Sequence, residues 1–64
     1  MITQTEIICL AIRMLDTDIE TWRAKCKNGG EEGKRIFESL SAEPLKKREM
    51  LCTLYRIQTG TDYD

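Results

Sequence analysis

An all-α fold is expected from this chain, either an antiparallel helical hairpin or a small three-helix bundle, and three observations point to it. Ile8, Ile12, Leu15, Ile19, Trp22 and Cys26 recur alternately four and three residues apart, the spacing that keeps six apolar side chains on one face of a helix. Asn28-Gly29-Gly30 then supplies residues that tolerate a tight reversal. No segment alternates apolar and polar residues as a half-buried strand would.

The first helix is expected over about residues 4–27. Thr3, Gln4, Thr5 and Glu6 form a T-x-x-E capping box, in which the Thr3 hydroxyl accepts from the Glu6 N–H and the Glu6 carboxylate reaches back to Thr3. Ile2 and Ile7 stand where a hydrophobic staple places its two members. At the other end Lys25 and Lys27 complement the negative helix terminus.

A second helix is expected over about 31–40, opening on Glu31 and Glu32 and carrying Ile36, Phe37 and Leu40 on one face. Pro44 lacks the N–H that a helix interior uses, so the second arm is expected to break at Ser41–Glu43 or to kink there, and the break is the favoured reading. Ser41 would cap a last helix over about 42–59, with Pro44 in its first turn. Gly60 is its expected C-cap, which makes residues 1–60 one helical domain and 61–64 a flexible tail.

Counting outward from the turn sets an antiparallel register. Trp22 meets Ile36 and Phe37, Ile19 meets Leu40, Leu15 lies near Pro44, and Ile8 comes opposite Leu51. Ile12 falls opposite Lys47 and Arg48, whose alkyl stems would cover it while their charges stay wet.

One helix pair leaves apolar surface over. Ile7, Leu10, Ala11 and Met14 form a second stripe beside the first-helix seam, and Met50, Leu51, Cys52, Leu54, Tyr55 and Ile57 leave only the Thr53 and Arg56 side of the last helix clearly polar. These two halves lie together at the end far from the turn. The expected contact surface is therefore Ile7, Leu10, Met14, Met50, Leu54 and Ile57, covered by a third helix folding back, by a second copy in a homodimer, or by another protein's helix. A chain of 64 residues has a core that only just offsets its conformational entropy, and a second copy would supply more.

Several functions are disfavoured. Three cysteines, Cys9, Cys26 and Cys52, show no C-x-x-C spacing and there is no histidine. They read as reduced, small, mostly buried hydrophobes, with no metal or other cofactor. Paired carboxylates in a pocket, or a nucleophile beside a base, are what an enzyme would need. Asp16, Asp18 and Glu20 instead read as the polar face of the first helix, with Glu20 placed to pair with Arg23, and no small-molecule substrate is expected.

Lys46, Lys47 and Arg48 form the one tight basic cluster. With Lys34 and Arg35 they are the candidate surface of an alternative nucleic-acid-binding regulator. A net charge of −1 and an apolar last helix argue against that reading. No run approaches membrane-spanning length, and Arg13 interrupts the short apolar stretch near the N-terminus, so a cytoplasmic setting is expected. Tyr63 between Asp62 and Asp64 reads as part of a solvated acidic tail.

Thr3-Gln4-Thr5-Glu6-Ile7-Ile8, the Trp22-Arg23 pair and the ending Leu54-Tyr55-Arg56-Ile57-Gln58-Thr59-Gly60-Thr61 together resemble the short, uncharacterised helical proteins of bacterial genomes and their prophages. The resemblance spans most of the chain and implies a bacterial or phage cytoplasmic setting. Small proteins of that kind often act by binding and modulating another protein. The resemblance carries no chemistry with it.

Overall fold

Two helices account for nearly the whole chain in a computed structural model, which describes residues Met1–Asp64. Helix α1 spans Gln4–Cys26 and helix α2 spans Gly30–Thr59. They run antiparallel as a hairpin of 42 × 20 × 16 Å. The start of α1 is the expected capping box: the Glu6 N–H donates to the Thr3 hydroxyl at 3.1 Å, and the Thr3 N–H donates to the Glu6 carboxylate at 3.4 Å. Helix α2 ends where Gly60 adopts a left-handed φ of 77° and its N–H donates to the Arg56 carbonyl at 2.8 Å.

The second arm does not break. Residues 30–59 are one helix with Pro44 inside it, so the separate helices expected over 31–40 and 42–59, and the third layer of a three-helix bundle, are not formed. Pro44 removes one hydrogen bond, the one to the Leu40 carbonyl, at a cost of about 3 kcal/mol in a helix interior. A break would forfeit several such bonds and pull the half-buried Phe37 and the buried Ser41 away from α1. Leu40 stands at the solvent edge of the seam, where water can take the freed carbonyl. Ser41, expected as a cap, is instead a small residue that lets the two helices approach.

The core is slender. Ile8, Ile12 and Ile19 are its buried hydrophobic residues, and Ile12 alone is completely enclosed. The facing row on α2 is Gly33, Phe37, Ser41, Pro44, Arg48, Leu51 and Tyr55, at the same four-and-three spacing but with small and polar members. Near the turn the helices nearly touch, because a Cβ built on Gly33 would lie 2.5 Å from the Cys26 carbonyl oxygen. That approach leaves no room for an indole between them. Trp22, expected in the seam against Ile36 and Phe37, is displaced to its edge and 40 % exposed. Ile36 and Leu40, expected against α1, are likewise exposed.

Gly33→Ala tests the close approach. Ala favours a helix interior over Gly by about 1 kcal/mol, so propensity alone would stabilise the variant. The clash is with backbone rather than a flexible side chain. Thermal unfolding followed by circular dichroism should therefore show a lower Tm for Gly33→Ala than for the parent chain.

Candidate functional site

The faces of the hairpin follow from helix geometry. Successive side chains are about 100° apart around each axis, and antiparallel helices wind in opposite senses when viewed from one end. Residues turned from the two seams in the same rotational sense therefore fall on the same side of the plane through both axes. Ala11, Ile7, Met14 and Leu10 turn that way from the α1 seam, and Leu51, Leu54, Met50 and Ile57 turn that way from the α2 seam. Arg13 and Asp16, with Glu49 and Arg56, turn the other way. One side of the hairpin's far half is thus apolar across both helices, and the other is polar.

All six residues expected as a contact surface lie on this apolar side, at exposures between 40 and 72 %. Leu54 stands near the middle of the face, whereas Leu10 and Ile57 stand at its outer edges. Trp22, Ile36 and Leu40 form a smaller apolar group on the same side toward the turn, which the counted register had placed in the core. The signal that separates them was present in the chain, since Gly33 and Ser41 mark the row of α2 that allows close helix contact.

Levels along the axes are set by the cross-helix pairs Gln4–Gln58, Thr5–Gln58 and Asp16–Arg48. Ile57 is then level with Glu6, Leu54 with Cys9, Met50 with Arg13, Lys47 with Asp16 and Glu43 with Glu20. The far apolar patch is centred at the level of Leu10. Between it and the Trp22 group runs a charged belt of Asp18, Glu43 and Lys47, all exposed and all on the apolar side.

The opposite side carries the main electrostatic feature. Arg48 donates through Nε to Asp16 at 2.5 Å and through Nη2 to Asp64 at 3.0 Å, which ties α1, α2 and the C-terminal segment together. Arg48, expected opposite Ile12, pairs instead with Asp16, one turn further along α1. The segment expected as a loose tail is folded back in the structure. The Tyr63 ring meets Tyr55 edge-on at 5.4 Å, and the Arg48 guanidinium lies 6.0 Å from the Tyr63 centroid. The hydrogen bond from Arg48 holds the Asp64 carboxyl below its ordinary range, and the two carboxylates raise the Arg48 guanidinium above its own.

Because the folded-state value of Asp64 is depressed, its contribution to tail docking is present above the ordinary carboxylate range and is lost as pH falls through the lowered value. Proton NMR of the Tyr55 and Tyr63 rings during an acid titration should show their mutual ring-current shifts disappearing in that window. Asp64→Asn should remove the shifts at neutral pH.

The basic cluster does not form one surface. Consecutive helical residues diverge by about 100°, so Lys46, Lys47 and Arg48 point to three sides, and Arg48 is already engaged by two carboxylates. Arg23 pairs with Glu20 as expected and also lies 5.4 Å from the Phe37 ring centroid. Cys9, Cys26 and Cys52 are free thiols, and Arg48 donates to the Cys52 sulfur at 3.6 Å. No group of three or more acidic or cysteine side chains stands where it could hold a metal ion, and no helix is long and apolar enough to cross a membrane.

In class, then, the chain is a two-helix hairpin with one apolar side. Comparison with protein-family models, curated proteins and solved structures finds no match to it.

Proposed function

We propose that this is a non-enzymatic interaction protein, which acts by laying the apolar side of its hairpin against other helices. One observation carries the reading: the apolar half-circumference continues across both helices, through Ile7, Leu10 and Met14 on α1 and Met50, Leu54 and Ile57 on α2. An exposed patch of this extent on a small chain marks a place where another surface belongs. The resemblance to small bacterial and prophage proteins agrees with a role exercised by contact.

The alternative, a nucleic-acid-binding regulator, would draw on Lys46, Lys47 and Arg48. The divergence of these side chains and the engagement of Arg48 favour the contact reading. Two variants separate the two. Leu54→Glu should abolish association with helical partners, copies of this chain included, and leave any retention on a DNA or RNA column unchanged. The double variant Lys46→Gln with Lys47→Gln should leave association intact. Loss of association in the lysine variant, with Leu54→Glu associating normally, would overturn the proposal.

A further inference from the structure

We infer that the occupant of the apolar side is a second copy of this chain, turned end for end so that only the far halves of the two hairpins overlap. This rests on the contact reading above and adds to it the partner and its orientation.

The surface area points to the partner. A folded monomer of 7.4 kDa is expected to expose about 4,200 Å², whereas this chain exposes 5104 Å². The excess of about 900 Å² is close to the roughly 800 Å² that each chain contributes to a standard-size interface. The shape agrees, because the radius of gyration is 14.0 Å against about 10.7 Å for a compact domain of this length. The apolar side also spans two helices, so a single helix would leave half of it uncovered. A second hairpin covers both and completes a four-helix arrangement.

The charged belt sets the orientation. Two copies meeting face to face by two-fold symmetry can be related by an axis along the hairpin or by one across it. An axis along the hairpin lays α1 over the partner's α2 at the same level. Asp18 then falls between the partner's Glu43 and Lys47, and the full overlap brings the belts of both copies inside the interface, where six charged side chains must give up their water. An axis across the hairpin lays α1 over the partner's α1 and α2 over its α2, with ends reversed. Full overlap in that arrangement would press Asp18 onto the partner's apolar patch and bury the carboxylate without a partner.

Offset overlap removes both faults. With the axis at the level of Leu10, Ile7 covers the partner's Met14, Ile57 covers its Met50, and Leu54 comes beside its own copy. The partner's α1 then ends beside Asp18, presenting the positive N-terminal end of a helix to a carboxylate. Its α2 ends beside Lys47, presenting the negative C-terminal end to an ammonium. Each flanking charge on the belt thus faces the helix end that suits it, while Trp22 remains beyond the overlap.

The test uses the full chain and two readouts. Trp22 is the one tryptophan, so its emission reports on the turn end without any substitution. The structure assigns it the same emission maximum and the same acrylamide quenching above and below the concentration at which mass falls from two chains to one. p-Benzoylphenylalanine placed at Leu54 should crosslink to the partner's α2 between Lys47 and Leu54. Crosslinks to the partner's α1 near Ile7 and Ala11, with a blue shift of Trp22 on association, would overturn the orientation and leave the contact reading standing. A mass of one chain at every concentration would overturn the second copy as occupant, and the Leu54→Glu comparison would then decide the contact reading separately.

Discussion

Ile12→Ala should leave the chain largely unfolded at room temperature when it is dilute. Ile12 is completely enclosed in a seam whose other buried hydrophobic members are Ile8 and Ile19. Truncating a buried isoleucine to alanine typically costs about 2–5 kcal/mol, from lost transfer energy and the cavity left behind. A chain of this length has a total stability of about 3–10 kcal/mol, and a hairpin with three core isoleucines belongs at the low end. The loss is therefore of the same size as the stability. Far-ultraviolet circular dichroism should show most of the helical signal gone, or a urea midpoint near zero. Ile57→Ala is the control, because that side chain is 72 % exposed and its truncation should leave the isolated hairpin unchanged.

Leu54→Glu is expected to act on association and spare the helix. Burying a leucine fully is worth about 1.5–3 kcal/mol, and Leu54 is 40 % exposed in the hairpin, so about 1 kcal/mol remains to be gained by covering it. Two-fold symmetry doubles that figure, and each added carboxylate must also be desolvated, at about 1 kcal/mol or more. The total is at least about 4 kcal/mol, which weakens self-association by more than about 500-fold. Glutamate is a good helix former, so the monomer's own helicity should persist. Leu10→Glu should have a smaller effect, since Leu10 stands at the edge of the face. Sedimentation equilibrium on the two variants beside the parent chain measures the difference.

The two variants separate what holds the hairpin from what the hairpin holds. Sequence pattern reached the first part well where local rules act alone. The Thr3–Glu6 box, the Asn28–Gly30 turn and the Gly60 cap are each decided by a few neighbouring residues, and each is found where the pattern put it. It failed where a local penalty competes with a long-range gain. Pro44 reads as a helix breaker, yet the hydrogen bonds on either side of it and the docking of Phe37 and Ser41 against α1 outweigh one lost bond.

Trp22 failed for a related reason. Its spacing belongs to the seam, but whether a large ring fits there depends on the facing residue, and the close approach of Gly33 to Cys26 closes the space. The same approach turned Ile36 and Leu40 outward. That Ile7, Leu10, Met14, Met50, Leu54 and Ile57 stay exposed was legible because it needed only an excess of apolar positions over what one seam can bury. The anchoring of Tyr63 and Asp64 on Tyr55 and Arg48 was not, because it joins residues whose proximity depends on how the chain leaves Gly60.

The central claim is that the apolar side of the hairpin exists to be covered by a second copy, and solution mass tests it most directly. Light scattering across a concentration series, under reducing conditions so that no disulfide between free thiols can mimic association, should give two chains at high concentration and fall toward one on dilution. A mass of one chain throughout, with the helical signal intact, would contradict it.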